Sequence, residues 1–398
     1  MTDAVIRLKP GRERSVLRQH PWLFSGAIAD VDGSPEPGST VEVTDFAGAW
    51  LARGAYSPES QIRVRIWTWE VDEAIDAAFV ALRLERSIAR RRGLDPEGRT
   101  TAFREVHAES DGLPGVIVDR YAGFRVVQLL SAGAERWRPA IVEALAARGD
   151  VQGVYERSDV SVRELEGLEP RSGVMWGEPP PSRLRIEEHG VAYQVDVCSG
   201  QKTGFYLDQR EHRQRLRRGL GEVEVLNAFA YTGGFSVCAL LGGARSVLSI
   251  DSSAEALELA RENVALNGLS PECCEWIEGD AFVELRRLRD RAASFDVIVL
   301  DPPRFAATAA QAERAARGYK DINLLAFKLL RPGGRLHTFS CSGGVSAELF
   351  EKIVAGAALD AGVPAVIVEW LGQPADHPVA LSFPEGRYLK GLVCERLA

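Results

Sequence analysis

From Arg183 onward the chain alternates runs of valine, isoleucine and leucine with segments of helical character. The strand-like runs lie at 222–226, 246–250, 295–300 and 335–339, and the helix-like segments lie at 254–267, 309–316 and 321–330. Apolar strands separated by helices indicate a parallel sheet that is buried on both faces. The sequence therefore predicts a doubly wound α/β domain. Ligands of such domains bind beyond the carboxyl ends of the strands.

The part of the chain before this domain has a different pattern. Apolar and polar positions first alternate in short runs, as at 40–44 and 61–67, which predicts a small β-rich domain. Helical and strand-like segments then follow one another, which predicts a mixed α+β domain, and the proline-rich stretch at 177–182 is typical of a linker. We therefore predict three domains, at 1–71, 72–182 and 183–398.

Composition narrows the classes of protein to which the chain can belong. Its 398 residues are 45% hydrophobic, which excludes a largely disordered chain. The six cysteines contain no CxxC pair and the histidines have no metal-ligand spacing, so we predict reduced thiols in a cytoplasm and no metal. The N-terminus lacks a signal-peptide pattern, and no apolar run reaches membrane-spanning length, so we predict no membrane partner.

Basic residues cluster locally, although the net charge is −8. One group is Arg83, Arg86, Arg90, Arg91 and Arg92, and the other is Lys202, Arg210, Arg213, Arg215, Arg217 and Arg218. Each group can be a solvated helix face. Phosphate binding needs only a local basic surface, so the groups also fit an RNA-binding protein whose affinity falls steeply with salt.

Four features at predicted strand ends suggest a nucleoside-binding site. The Gly233-Gly234 turn follows the first strand, Asp251 ends the second, Asp280 follows a short third strand, and Asp301 ends the next. Glycines allow close backbone approach, and a carboxylate at the Asp251 position can accept hydrogen bonds from a ribose diol. The turn lacks GxGxxG, which disfavours a nicotinamide dehydrogenase and favours S-adenosylmethionine. Alternatively, the glycines are structural and Asp251 caps the following helix.

Two further strings suggest covalent chemistry on a pyrimidine. Asp301 precedes Pro302 and Pro303, which stiffen the turn and present its carboxylate to a base. Cys341 follows the next strand, and a predicted helix at 345–355 would favour its thiolate through the helix dipole. Asp-Pro-Pro also occurs as a plain turn, and a free cysteine is most often a small buried hydrophobic residue. The positions after two strands of one sheet favour the catalytic interpretation.

Seven strings carry a resemblance to one known family. They are HPWLFSG at 20–26, GAYSP at 54–58, DGLPG at 111–115, KTGFYLDQR at 202–210, AYTGGF at 230–235, GYKDIN at 318–323 and ADHP at 375–378. Through them the chain closely resembles, over nearly its whole length, the bacterial ribosomal RNA large subunit methyltransferase I family, which makes 5-methylcytosine in 23S ribosomal RNA. The resemblance implies an N-terminal PUA domain, a central α/β domain and a C-terminal Rossmann-like methyltransferase domain. It also implies S-adenosylmethionine as the methyl donor and Cys341 as the nucleophile.

The site assignments follow from both the residue pattern and the resemblance. We assign catalysis to Cys341 and Asp301. The residues assigned to the cofactor site are Tyr206, Asn227, Phe229, Tyr231, Thr232, Gly233, Asp251, Ser252, Asp280, Ala281 and Asp301. The residues assigned to RNA binding are Lys202, Arg210, Arg304 and Lys320. The expected partner is naked or partly assembled large-subunit RNA.

Several points stay open from the sequence. Arg304 stands where many RNA cytosine-5 methyltransferases carry a second cysteine, so the base that removes the carbon-5 proton can be Asp301, Lys202 or water. Methylation of a base nitrogen and a non-catalytic RNA-binding assembly factor are the alternative functions. The oligomeric state and the exact nucleotide are not determined.

Overall fold

The computed structural model describes residues 4–94, 97–306 and 311–398. The chain forms two compact units. The first comprises Met1–Ile186, Asp196–Leu207 and Ala375–Gly386, and the second comprises Glu187–Val195, Asp208–Pro374 and Arg387–Ala398. The three predicted domains and their boundaries stay a prediction.

A six-stranded sheet occupies the N-terminal part of the first unit. Its strands are β1 (Val5–Leu8), β2 (Trp22–Phe24), β3 (Ile28–Asp32), β4 (Thr40–Thr44), β5 (Trp50–Tyr56) and β6 (Ile62–Thr68), and the short helix α1 (Arg14–Leu17) follows β1. The strand order is β2-β6-β5-β4-β1-β3. The alternation of β4 places Val41 and Val43 in a fully buried core with Ile6 and Val64. A β-rich N-terminal segment is therefore confirmed.

A five-stranded sheet follows in the same unit. Its elements are α2 (Ala77–Arg91), β7 (Ala102–His107), β8 (Val116–Tyr121), β9 (Phe124–Leu129), α3 (Ala132–Arg136), α4 (Arg138–Ala146), β10 (Gly153–Ser158) and β11 (Arg171–Gly177). The strand order is β11-β10-β9-β8-β7. Helix α2 begins at Ala77, where Asp76 caps it by accepting a 2.9 Å hydrogen bond from the Phe79 N–H.

The second unit contains a seven-stranded sheet. The elements from β12 onward are β12 (Leu184–Glu188), β13 (Val191–Val195), α5 (Arg210–Arg217), β14 (Glu224–Ala228), α6 (Gly234–Leu241), β15 (Ser246–Asp251), α7 (Ala254–Leu266), β16 (Cys274–Glu278), α8 (Ala281–Asp290), β17 (Phe295–Leu300), α9 (Ala312–Leu329), β18 (Leu330–Ser340), α10 (Ala347–Ala361), β19 (Ala365–Gly372) and β20 (Lys390–Arg396). The two strands β12 and β13 pair separately, and the large sheet has the order β16-β15-β14-β17-β18-β20-β19.

The first five strands of this sheet run parallel, and β20 is antiparallel to both of its neighbours. Leu226, Ile250, Ile298 and Leu336 are buried in the core that the strands share with the helices. Complete burial of each such side chain contributes about 1.5–3 kcal/mol. The predicted doubly wound α/β fold is confirmed for this unit.

One helix replaces two predicted ones. Residues 312–316 and 321–329 belong to a single helix, α9, which Gln311 precedes and Leu330 follows as the first residue of β18. Residues 309 and 310 lie outside the described residues. Gly318 does not break this helix, because a glycine in a helix costs only about 1 kcal/mol. Burial of Tyr319 and Ile322, which are 0% exposed, offsets that cost. The prediction of a break between the helices was wrong.

Several arginines of the two basic groups are buried. Arg91 donates hydrogen bonds of 2.8 and 2.7 Å to the Asp111 carboxylate. Arg213 pairs with Glu188 at 2.7 Å, and Arg210 is 3% exposed. The groups are therefore not continuous basic faces, and their exposed members are Arg86, Arg90, Arg92, Lys202, Arg215 and Arg218.

Candidate active site

The carboxyl ends of five parallel strands meet at one edge of the seven-stranded sheet. Ala228, near the end of β14, is paired with Ile250 of β15 on one side and with Leu300 of β17 on the other. The chain reverses its direction of winding between β14 and β17, because β15 and β16 lie on one side and β17 and β18 on the other. Such a switch point is where open α/β sheets bind ligands.

The loop after β14 has an unusual backbone. Phe229 and Tyr231 have φ values of 63° and 48°, a left-handed conformation that costs non-glycine residues roughly 1–2 kcal/mol. Gly233 has φ of 75°, and a Cβ there would meet the Ala260 Cβ at 2.8 Å, so only glycine fits this position. The strained conformation brings the loop backbone to the end of β15.

Asp251 connects the ends of β14 and β15. Its Oδ2 accepts a 2.7 Å hydrogen bond from the Tyr231 N–H, and its Oδ1 accepts a 3.0 Å bond from the Ser253 N–H. Ser253, and not Asp251, is the N-cap of α7. Ser252 lies exposed between them. The carboxylate is therefore held at the strand end, where it faces the loop that contains Gly233.

Asp280 and Ala281 lie at the start of α8. Asp280 is exposed and caps this helix, since its Oδ1 accepts a 3.1 Å hydrogen bond from the Val283 N–H. An ionised carboxylate has acceptor sites on both oxygens. Asp280 can therefore cap α8 and still accept a hydrogen bond from an amino group of a ligand. The ring of Phe282 lies 6.3 Å from that of Phe229 and 5.8 Å from that of Phe305. Phe229, Phe282 and Phe305, which follow the ends of β14, β16 and β17, therefore form one aromatic cluster.

Two buried polar atoms near these strand ends have no hydrogen-bond partner among the described residues. They are Asn227 Oδ1 and Thr232 Oγ1. The Asn227 amide nitrogen donates instead to Ser236 Oγ at 2.8 Å, which holds the side chain against α6. A buried acceptor without a partner costs about 1–3 kcal/mol, so a polar ligand at this edge of the sheet would recover that free energy.

The carboxylate of Asp301 is oriented by a residue for which the sequence predicted no role. Gln209 Nε2 donates a 2.9 Å hydrogen bond to Asp301 Oδ1. The amide oxygen of Gln209 then accepts from His212 Nδ1, which defines the His212 tautomer. Burial, opposed by Asp208, lowers the pKa of His212 to about 4, so this ring is neutral at neutral pH. Gln209 lies in the string KTGFYLDQR, but the polarity of its side chain alone does not indicate that it contacts Asp301.

Ser342 joins the loops that carry Asp301 and Cys341. Its Oγ accepts hydrogen bonds of 3.1 and 3.0 Å from the Phe305 and Ala306 N–H groups, and lies 2.9 Å from the Tyr319 hydroxyl. The Ser342 side chain is fully buried. Because β17 and β18 are adjacent, the structure holds the Asp-Pro-Pro turn and the cysteine loop as one assembly.

The helix after Cys341 begins later than predicted. Helix α10 starts at Ala347, and Ser346 caps it by accepting a 3.1 Å hydrogen bond from the Leu349 N–H. A turn, with the Val345 N–H bonded to the Ser342 carbonyl, separates Cys341 from the helix. Helix-dipole effects fade beyond the first turn. The predicted helix after Cys341 is present, but it starts at residue 347 and not at 345. The effect of the helix dipole on the thiolate stays a prediction.

The residues assigned to RNA binding, and Tyr206, lie in different parts of the chain. Lys202 and Tyr206 belong to the first unit, where the Lys202 ammonium lies 4.2 Å from the Tyr206 ring centroid. In the second unit Arg304 is exposed beside the cysteine loop, Lys320 pairs with Asp360 at 2.7 Å, and Arg210 is buried. Their assigned roles stay predictions.

Among the described residues no cluster of metal-ligating side chains is present, and no helix is long and apolar enough to span a bilayer.

Comparison with known proteins supplies the family. A PUA-like domain family matches residues 6–69, and the S-adenosylmethionine-dependent methyltransferase family matches residues 165–380. A protein of Klebsiella pneumoniae (strain 342) named ribosomal RNA large subunit methyltransferase I is 51% identical over 99% of both chains. A protein of the same name from Cronobacter sakazakii is 52% identical over 97% of this chain and 98% of its own. The chain belongs to the ribosomal RNA large subunit methyltransferase I family.

Solved structures agree with this fold. A protein of Streptococcus mutans described as a SAM-dependent methyltransferase superposes with a TM-score of 0.84 over 98% of this chain and 99% of its own, at 21% identity. A methyltransferase complexed with SAH has a TM-score of 0.85 over the same shares, at 22% identity. These two likenesses show the fold. The match to the S-adenosylmethionine-dependent methyltransferase family makes S-adenosylmethionine the cofactor. The Asp251 carboxylate and the Asn227 and Thr232 oxygens, which have no partner among the described residues, fit a polar nucleoside.

Replacing Asp251 by alanine is expected to weaken cofactor binding without unfolding the protein. A hydrogen bond to a charged group contributes about 1.5–3 kcal/mol, so S-adenosylhomocysteine should bind roughly 10- to 100-fold more weakly. Isothermal titration calorimetry measures this change. Glu255→Ala, at an exposed position in the first turn of α7, is the matched control and should bind as the wild type does. Unchanged affinity of Asp251→Ala would contradict the assignment.

Proposed function

We propose that this protein transfers a methyl group from S-adenosylmethionine to carbon 5 of a cytosine in large-subunit ribosomal RNA. The observation that supports the proposal is that Ser342, the residue after Cys341, accepts hydrogen bonds from Phe305 and Ala306 in the loop that follows Asp301, and so joins the two loops. A nucleophile and a base-binding carboxylate beside a methyl donor are what cytosine-5 methylation requires. The relatives are named ribosomal RNA large subunit methyltransferase I, which supports ribosomal RNA as the substrate.

The thiolate is needed because carbon 5 of cytosine is a poor nucleophile. The Cys341 sulfur forms a bond to carbon 6, and the π electrons of the carbon 5–carbon 6 bond become available at carbon 5. S-adenosylmethionine, when bound, supplies the methyl group on a sulfonium. The new carbon–carbon bond forms as the bond from sulfur to methyl breaks. Removal of the carbon-5 proton then restores the double bond and expels the Cys341 thiolate.

Asp301 is proposed to hold the base during this sequence. Its carboxylate can accept a hydrogen bond from the exocyclic amine of cytosine, while Gln209 keeps Oδ1 oriented. Asp301, Lys202 and water remain the candidates for the group that takes the carbon-5 proton. Flipping the base out of a stack costs a few kcal/mol, and less in single-stranded RNA. Naked or partly assembled RNA is therefore the proposed substrate.

Identification of the methylated nucleoside tests the proposal. The purified protein is incubated with labelled S-adenosylmethionine and unmodified large-subunit ribosomal RNA, and the RNA is digested and analysed by chromatography and mass spectrometry. We expect label as 5-methylcytidine at one site, with small-subunit RNA as the control substrate. Label on a base nitrogen would overturn the proposed chemistry, and absence of transfer with intact cofactor binding would favour a non-catalytic assembly factor. Equal methylation of intact ribosomes would contradict the preference for unassembled RNA.

A further inference from the structure

Lys390 is a buried lysine whose location brackets Cys341. It is the first residue of β20, it is 6% exposed, and its register partner on β18 is Ser340, the residue before the cysteine. Its Nζ donates hydrogen bonds of 2.6 Å to the Ser342 carbonyl and 2.8 Å to the Val345 carbonyl. Lysines are almost never buried to this degree unless they are paired. The side chain therefore spans the cysteine loop from its beginning to its end.

The two carbonyl contacts favour one protonation state of the Lys390 amine. Both oxygens are acceptors, so they favour the ammonium form with its three donors over a neutral amine. An ammonium donates stronger hydrogen bonds than a neutral amine, so the two contacts stabilise the charged form of Lys390.

Charged groups from several elements face this ammonium. Cys341 on the loop after β18 attracts it electrostatically when ionised, while Arg304 after β17 and Arg387 before β20 repel it. Burial, with a smaller effect of the two arginines, lowers the pKa of Lys390 to about 8. The hydroxyl of Tyr319, on α9, contacts Ser342 and also faces the cysteine.

We propose that Lys390 is a positioning residue that holds the Ser342–Val345 turn and stabilises the Cys341 thiolate. This inference rests on the proposed role of Cys341 as the nucleophile. The Lys390 ammonium is a source of thiolate stabilisation that does not depend on α10, which begins only after the turn. The ammonium binds the carbonyl of Ser342, the residue next to Cys341, and the ionised thiol attracts it. A nearby opposite charge favours the ionised form of a group, and the effect is reciprocal for the two partners.

The direction of the pH dependence follows from the same contacts. Below pH 8 the ammonium is mostly present, and it favours ionisation of the thiol. As the pH rises through the pKa of Lys390, about 8, the ammonium is lost and the thiolate loses its partner. In a variant without the positive charge, the thiol should need a higher pH to ionise, by roughly one unit or more.

Alkylation of Cys341 by iodoacetamide tests the proposal in the full-length protein without RNA or cofactor. The rate is measured from pH 5.5 to 10 by peptide mass spectrometry, with partly exposed Cys273 as the internal reference thiol. Lys390→Met should shift the Cys341 profile to higher pH by about one unit or more, which corresponds to a roughly tenfold or greater loss of reactivity at pH 7. Lys352→Met, which removes an exposed lysine of α10, should leave the profile unchanged.

Two further variants separate charge from structure. Lys390→Gln keeps amide N–H donors for the turn but has no charge, so it should also shift the Cys341 alkylation profile to higher pH. It replaces Lys390→Met in the test if the methionine variant does not fold. Lys390→Arg keeps the charge and should retain most of the wild-type reactivity at pH 7. An unshifted Cys341 profile in a folded Lys390→Met or Lys390→Gln protein would overturn the proposal, even if methyl transfer were lost.

The alkylation result is independent of the proposed function. A shifted profile together with full methylation by Cys341→Ala would keep the Lys390–Cys341 pairing but refute the covalent route. In Lys390→Met, a shifted alkylation profile together with a loss of kcat, an unchanged KM for S-adenosylmethionine and a partial recovery of kcat at high pH would support both the Lys390–Cys341 pairing and the covalent route.

Discussion

Substitution of Cys341 by alanine is expected to abolish methyl transfer while leaving cofactor binding intact. Loss of a covalent nucleophile lowers kcat by a factor on the order of 10⁴ to 10⁶. The cofactor residues on β14, β15 and α8 do not depend on this side chain, so calorimetry with S-adenosylhomocysteine should give wild-type affinity. The measurement is single-turnover transfer of labelled methyl to large-subunit ribosomal RNA.

Cys273→Ala is the matched control for the loss of a thiol. Cys273 is also partly exposed and lies just before β16, and no role is proposed for it. The control should retain wild-type transfer. Retention of at least a tenth of the rate by Cys341→Ala would exclude the covalent route and favour direct transfer to a base nitrogen, which needs no thiol.

Substitution of Asp301 by asparagine is expected to have the second-largest effect. Asparagine keeps an oxygen that can accept from Gln209 Nε2, so the turn before Pro302 should hold its shape. The variant loses the negative charge and one acceptor that the base would use. If Asp301 holds the base or takes its proton, kcat should fall by about 10²- to 10⁴-fold.

Asp290→Asn is the control for this change. Asp290 ends α8 with an exposed side chain that contacts Arg289 at 2.7 Å, and its replacement should not alter transfer. A pH–rate profile distinguishes the two roles of Asp301. A proton-transfer role should remove a titration from the profile in the variant, whereas a base-holding role should lower kcat at every pH. Wild-type activity of Asp301→Asn would contradict both roles.

The strand ends explain why the site could be located from the sequence. Asp251, Asp301 and Cys341 each follow the buried residues of a strand, and parallel strands place their carboxyl ends at one edge of a sheet. Local pattern is therefore enough to group these side chains. The turn that contains Gly233 is also local, since its conformation depends on a residue that tolerates positive φ.

The contacts that orient these side chains were not predictable in the same way. Gln209 reaches Asp301 from 92 positions earlier in the chain, and Lys390 reaches Ser342 from 48 positions later. Neither belongs to a periodic pattern, because a single polar residue has no characteristic spacing from a distant partner. The one local indication for Lys390 is its position before the apolar run Leu392-Val393-Cys394 of the final strand.

Side-chain burial and helix boundaries also depend on contacts that the local sequence does not predict. Arg210 and Arg213 have the composition of an exposed basic face, yet both are buried, and Arg213 is paired with Glu188 of another element. The start of α10 was misplaced because the turn after Cys341 is held by Lys390, which lies outside any window around the cysteine.

The amino-acid sequence by itself determined the α/β fold of the second unit, the family and the edge of the sheet where the chemistry is proposed. Each of these depends on short-range periodicity, strand ends or contiguous strings of residues. Only the tertiary structure decided which polar group holds Asp301, which residue joins its loop to that of Cys341, and which lysine binds the carbonyls of the cysteine loop. These contacts join residues far apart in the chain, and the free energy of burying them arises only when the sheet assembles.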